Sequence, residues 1–388
     1  MTAPTMAPPA PQAAGNGKAQ ARPPRPFRTG VQIVDELPYD TTVTTTASTQ
    51  ALNPVYEIPS TGFINLVNLL VEATTAGNGA TVTFAANGPF NVIDTIQFVD
   101  TNNQPLLGPI DGFDLYVVNK YGGYALNDDP RSSPIFTAIA GAGATGGSFS
   151  FVLQIPLELV PHDALGSLPN KSASTPFKVK ITVSATATIY GVAPTAAPSV
   201  RFRMAAESYW QPQATDAAGN PVSQNPPGVD TTQFWNKTTY TVGLGQISPI
   251  LTASVGFPVR NLIFVLKDNA GSRAVGETNW PDPFKLKLEA NIMVDRLKKV
   301  WQDKIATDYN YSGATFDTVG SKDNGLYVLP FCKDFYPKPG WETRRGYLPT
   351  TDAMKLQVIG NTLGAGTLDV YTNYVAPGAG TTLAAITA

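Results

Sequence analysis

The sequence predicts an all-β protein of two successive β-sandwiches with a few short helices, and three observations carry that reading. Among 388 residues there are 34 glycines and 34 prolines, which impose frequent chain reversals and leave little room for long helices. Short stretches rich in Val, Ile, Thr and aromatics recur between Gly, Pro and Asn, as in FINLVNLLVEA, ATVTFAANGPF, NVIDTIQFVD and DLYVVN, at the spacing of sandwiches and barrels. The third observation is an internal repeat. FVLQIPLELV (151–160) resembles YVLPFCKDFY (327–336), Leu168-Pro169 resembles Leu348-Pro349, and Lys178-Val179-Lys180-Ile181 resembles Lys355-Leu356-Gln357-Val358, at offsets of 176 to 180 residues. Upstream, GPFNVIDTIQFVDTNN (88–103) aligns with GFPVRNLIFVLKDN (256–269), each a hydrophobic strand running into an Asp/Asn turn. A chain of this length exceeds one typical domain of roughly 100 to 200 residues, which leaves room for two cores.

Along the chain, residues 1–30 hold seven Pro, seven Ala and four basic residues with no acid, a composition that builds no core. This segment reads as a flexible or extended arm whose Lys18, Arg22, Arg25 and Arg28 are candidate contacts to a neighbouring subunit or an anionic lipid surface. Its prolines argue against an amphipathic membrane helix, so the subunit tether is preferred. Residues 31–210 form the first expected sandwich and 231–388 the second. Between them, 211–230 is polar and rich in Pro and Gly, as in QPQATDAAGNPVSQNPPG, and reads as a linker or exposed loop.

One stretch reads plainly as helix. In DRLKKVWQDKIATD (295–308) half the residues are charged, against 14% of the chain. Met293, Leu297, Val300, Trp301 and Ile305 follow spacings of three and four and so line one face, with Trp301 as the anchor against the second sandwich. On the other face Asp295 precedes Lys299 by four residues, a favourable helical pair. Arg296, Lys298, Lys299 and Lys304 beside Trp301 have the residue types of a nucleic-acid patch, but Trp301 falls on the apolar stripe and the acids offset the bases. A packed helix is the preferred reading.

Little in the sequence points to chemistry. With 27 basic and 29 acidic residues the net charge of −2 offers no general attraction to phosphate, which argues against direct nucleic-acid binding. His162 is the only histidine and reads as a loop residue beside Asp163; Cys332, the only cysteine, reads as a buried thiol, so neither an internal disulfide nor a multi-Cys zinc site is available. Acid pairs such as Asp35-Glu36 and Asp128-Asp129 lie in polar segments and are expected to face water. GAGATGG (141–147) precedes a strand and reads as a loop, and no GxGxxG, GxxxxGK[ST] or GxSxG occurs. No run reaches the roughly 20 apolar residues of a membrane helix, and Pro4, Pro8, Pro9 and Pro11 interrupt any signal-peptide core, so a soluble, unsecreted chain is expected. No catalytic, cofactor-binding or metal-binding residue is assigned.

Several segments resemble the double jelly-roll major capsid proteins of tailless icosahedral viruses, most of all that of the tectiviruses. They are GPFNVIDTIQFVDTNNQ (88–104) with FDLYVVN (113–119), FPVRNLIFVLKDNAG (257–271), KIATD (304–308) and GLYVLPFC (325–332), in the family's order and spread over about residues 55 to 375. The resemblance implies two successive eight-stranded jelly rolls, a homotrimer forming a pseudo-hexagonal capsomer, and an icosahedral bacteriophage shell over an internal membrane. It further implies neighbouring capsomers and minor capsid or vertex proteins as partners, a place in the virion after assembly in the host cytoplasm, and no direct nucleic-acid contact. The Pro-rich arm departs from relatives that lay an N-terminal helix on the membrane. Two rival expectations are a receptor-binding spike with jelly-roll heads, present in few copies, and a glycan-processing enzyme with an acidic cleft between the sandwiches.

Overall fold

The computed structural model describes residues 27, 33–75, 78–122, 129–159, 164–170, 172–210, 215–222, 231–251, 256–309, 321–331, 346–351 and 354–377. Lys18, Arg22, Arg25, Arg28, His162 and Cys332 lie outside the described residues.

The first half begins with β1 (Ile33–Thr44), β2 (Gln50–Ala51), β3 (Tyr56–Glu57), β4 (Gly62–Thr74), β5 (Asn78–Phe84), β6 (Ile93–Val99), β7 (Pro105–Ile110) and helix α1 (Gly112–Tyr121). It continues through β8 (Thr137–Ala138), β9 (Gly141–Gly143), β10 (Phe149–Pro156), β11 (Leu168–Asn170), β12 (Lys178–Val183), α2 (Thr186–Ile189), β13 (Tyr190–Val192) and β14 (Ser199–Tyr209). The second half contains β15 (Thr231–Val242), β16 (Gly245–Ile247), β17 (Ile250–Leu251), β18 (Val259–Asp268), α3 (Arg273–Asn279), β19 (Phe284–Leu288) and β20 (Asn291–Arg296). Helix α4 (Lys298–Asp308), β21 (Leu326–Pro330), β22 (Leu356–Thr362) and β23 (Gly366–Pro377) complete it.

Alternation explains why these segments pair as they do. In β14 Val200, Phe202, Met204 and Ala206 point to the core while Arg201, Arg203 and Glu207 do not, and β10 and β12 alternate in the same way. A one-residue slip of register would turn each apolar set to water.

The pairing produces one topology twice. In the first half one sheet runs β1-β14-β4-β10 and the facing one runs β2/β3-β12-β6-β7; in the second half the sheets run β15-β23-β18-β21 and β16/β17-β22-β19-β20. Counting β2/β3 and β16/β17 as one position each, and setting aside the added strands β5, β8, β9, β11 and β13, both halves have eight strand positions in the orders 1-8-3-6 and 2-7-4-5. That interleaving of two sheets is the jelly roll. A parallel pairing of Leu107 in β7 with Trp235 in β15 joins the two sandwiches edge to edge. The main hydrophobic cluster is continuous from Tyr39 to Tyr371 across both of them.

The structure places the internal repeat strand by strand. Segments 151–160 and 327–336 both supply position six, as β10 and β21, and the Lys178 and Lys355 segments supply position seven, as β12 and β22. Leu168 pairs with Ile64 on β4 and Leu348 with Val259 on β18, again equivalent places. The upstream match is different: β6 holds position four and β18 position three. Their likeness is local. Each ends in an Asp whose Oδ1 accepts two backbone N–H groups, Asn102 and Gln104 at 2.8 Å for Asp100 and Ala270 at 3.0 Å and Ser272 at 2.7 Å for Asp268.

Four other sequence expectations need correction. Residues 291–296 are strand β20, paired with β19, so α4 starts only at Lys298. Met293, Leu297 and Val300 are consequently exposed, and only Trp301 and Ile305 of the expected stripe are buried. Asp295 pairs with Lys285 at 3.2 Å rather than with Lys299. GAGATGG is loop only in part, because Gly141–Gly143 pair with β5 as strand β9. Phe27, assigned by composition to the arm, is buried edge-on against Phe63 and Tyr209 with centroids 5.2 and 5.6 Å away, so the packed chain reaches back at least that far.

Trp301 of α4 is fully buried. Its Nε1–H donates to the Val328 carbonyl at 2.6 Å, and its ring meets Phe284 at 5.1 Å and Tyr327 at 5.4 Å. Trp301→Ala should cost ~3–5 kcal/mol. Trp301→Phe should cost less, ~1–3 kcal/mol, because the ring contacts persist while a buried carbonyl loses its donor. Chemical denaturation of both variants checks the order.

Helix α3 lies directly on β18, where a Cβ at Gly276 would sit 1.9 Å from the Leu266 carbonyl oxygen. In a free helix Gly→Ala is worth about 1 kcal/mol in favour of alanine. Here Gly276→Ala should instead destabilise by on the order of 2 kcal/mol, lowering the midpoint of thermal unfolding by about 2–3 °C. Calorimetry reads the sign directly.

Candidate functional site

The feature that makes one body of two sandwiches is the seam around α1, the helix that follows β7. Asp111 caps it: its side chain accepts from the Asp114 N–H at 2.7 Å, while the Asp114 carboxylate accepts from the Asp111 N–H at 3.1 Å. All 10 residues of α1 are buried, including Asp114, Asn119 and Lys120, which a surface helix would expose. The second sandwich supplies partners for Asp114 and Lys120, while Asn119 is held by the backbone of Gln154 in β10.

At the N-terminal end of α1, Lys237 of β15 donates to Asp114 at 2.7 Å and lies 3.6 Å from Asp369 of β23. Lys267 of β18 pairs with Asp369 at 2.8 Å, Thr239 donates to Asp369 at 2.6 Å, and the Tyr371 hydroxyl donates to Asp114 at 2.5 Å. Three carboxylates, Asp111, Asp114 and Asp369, thus share two ammonium groups, which leaves one negative charge in excess. Burial and then the neighbouring Asp114 push the Asp111 carboxyl up to about 7, so that below this pH a proton offsets the excess. Burial works against Lys237, but Asp114 and Asp369 hold its ammonium above the usual range.

At the C-terminal end, Lys120 bridges Asp323 at 2.7 Å and Asp129 at 3.1 Å, and the Tyr121 hydroxyl donates to Asp323 at 2.6 Å. The helix's terminal carbonyls, which no intrahelical N–H reaches, are satisfied from the other sandwich. Tyr121 O accepts from Asn261 and from the Tyr309 hydroxyl, both at 2.9 Å, and Gly122 O accepts from Arg260 at 2.8 Å. Asp129 was expected in water and is instead largely buried. Burial alone would raise its carboxyl, but the Arg131 hydrogen bonds and Lys120 hold it down at about 2.

The seam joins two strand sets through buried, directional contacts, which fix geometry more than they add stability. Among the described residues at the seam, Asp114, Asp129, Asp323 and Asp369 are ion-paired and largely buried. Among the described residues no group of three or more His, Cys, Asp or Glu is placed to hold a metal ion, and no helix is long and apolar enough to cross a membrane. Of the seam residues only Asp129 was singled out from the sequence, as an acid expected to face water. Their signal was a charge set inside an apolar strand or helix, as in GFDLYVVNKY, TTQFWNKTTYTV and GTLDVYTNYV.

The arrangement is the double jelly-roll fold. No protein-family model matches the sequence, and no curated protein matches it. Solved structures do. The STIV major capsid protein superposes with a TM-score of 0.60 at 12% identity, over 89% of this chain and 97% of its own. The major capsid protein from bacteriophage PM2 superposes with a TM-score of 0.51 at 10% identity, over 91% and 100%. PBCV-1 VP54, as fitted into a reconstruction of the virophage Sputnik, gives 0.53 at 12% identity, over 91% and 97%.

Lys120→Met keeps the stem but leaves Asp323 buried without its ammonium, and should cost ~3–5 kcal/mol in chemical denaturation. Asp111 has a pH signature. Its folded carboxyl titrates at about 7, above the roughly 3.9 of an unfolded Asp, so the folded state binds the extra proton between those values. Its contribution is therefore complete below about 4 and is lost as pH rises toward 7. Asp111→Asn retains a cap acceptor without the charge and should shrink the stability difference between pH 5 and pH 7.5, measured by thermal unfolding at both values.

Proposed function

We propose that this chain is a viral major capsid protein whose activity is self-assembly. The carrying observation is the double jelly roll itself, shared with capsid proteins over nearly the full length of both partners. A shell needs a wide tile of fixed shape, and the paired charges around α1 hold the two sandwiches as one unit. In this reading three copies form a pseudo-hexagonal capsomer, and capsomers tile an icosahedral shell over an internal membrane, in contact with minor capsid or vertex proteins. The net charge of −2 suits a protein that a membrane separates from the genome. The arm, through Lys18, Arg22, Arg25 and Arg28, reaches a neighbouring subunit or the lipid surface. The chain is assigned to the virion after assembly in the host cytoplasm, with no catalytic role.

Light scattering on the recombinant protein tests the reading. Trimers or larger shells at micromolar concentration are expected, with hexagonal plates in negative-stain images. A monomer under all assembly conditions overturns it.

A further inference from the structure

The joint between the two sandwiches is a template for a contact the single chain leaves unmade. Inside the chain, position five of the first jelly roll (β7) meets position one of the second (β15) through the Leu107–Trp235 pairing. The counterparts of those two strands are the fifth strand of the second roll, β20, and the first strand of the first roll, β1. Among the described residues both are sheet edges: β20 pairs only with β19, and β1 only with β14.

Both edges also carry apolar side chains that water faces. On and just after β20, Ile292, Met293, Leu297 and Val300 are each between 42% and 56% exposed, four large hydrophobics within nine residues. At the start of β1, Ile33 is 48% exposed; it pairs with Tyr209, and the next residue, Trp210, is 57% exposed. Isolated exposed hydrophobics are ordinary, but a group of them on an unpaired strand edge marks a contact surface.

We propose that the β20 edge, with Ile292, Met293, Leu297 and Val300, docks on the β1 edge of a second copy of this chain around Ile33 and Trp210, repeating between chains the β7–β15 joint within each. The contact is head to tail, each copy offering β20 to one neighbour and β1 to the other, an arrangement that gives a ring when the rotation between copies closes. This assignment rests on the self-assembly reading and names its contact. It also explains why the apolar spacing from Met293 to Val300 does not face the chain's own core: those side chains are placed for another subunit.

Two experiments test it. Ile292→Arg combined with Leu297→Arg should weaken trimer formation by ~100-fold or more in sedimentation equilibrium while leaving the circular dichroism and thermal midpoint of the monomer unchanged. The control, Leu244→Arg with Leu363→Arg, changes two side chains that are 73% and 64% exposed elsewhere and should assemble as the parent does. Cross-linking supplies a measurement that does not depend on those variants. With Cys332→Ser as background, Ile33→Cys together with Met293→Cys should give covalent dimers and trimers with a short bismaleimide, and neither single cysteine should. A parent that assembles alongside an arginine variant that assembles equally well, or a double-cysteine protein that stays monomeric on the gel, overturns this contact and leaves the capsid reading standing. A parent that never assembles overturns both.

Discussion

Helix α1 carries more buried polarity than any isolated helix tolerates, and the two sandwiches are held in register by the way that polarity is satisfied. Asp114, Lys120 and the carbonyls of Tyr121 and Gly122 all find their partners on the second jelly roll. A charge removed from water costs several kcal/mol unless it meets an opposite charge with good geometry. The two rolls therefore have few relative positions that satisfy the helix, and sliding one over the other would strand Asp323 or Asp114. Hydrophobic contact is non-directional and allows many near-equivalent packings; the ion pairs select one.

The proposed function draws on that selection. A protein proposed to tile a surface needs no cleft, but it needs edges held at a constant angle and separation. The jelly roll supplies the edges, because each sandwich ends in strands with unpaired backbone groups. The α1 seam supplies the constant relation between them, and the β7–β15 pairing shows that an edge of one roll fits an edge of the other. The buried excess carboxyl at Asp111 belongs to the same design, since a neutralised acid lets three carboxylates occupy a site with two lysines.

Much of the fold was legible in the sequence because it depends on local rules. Alternation in β10, β12 and β14, Asx turns after β6 and β18, and the recurrence of positions six and seven are all visible as residue spacing. The errors arose where local signals coincide. A buried strand ending in an Asx turn reads the same at position three as at position four, so β6 and β18 were matched although the topology separates them. In 291–300 the apolar spacing suits a helix, yet the hairpin with β19 takes 291–296 as strand and leaves Met293, Leu297 and Val300 outside. Tertiary pairing outweighs a helical pattern when the strand completes a sheet.

The sequence by itself determined the all-β class and the doubling of the chain. Both follow from composition and period. Only the tertiary structure decided which charged residues are buried, since Lys120 and Asp323 are 203 positions apart and Asp114 and Tyr371 are 257. Charge compensation depends on distance in space, and a one-dimensional pattern holds no measure of it. For the same reason the unpaired edges at β1 and β20 could be recognised only after every other strand had found its neighbour.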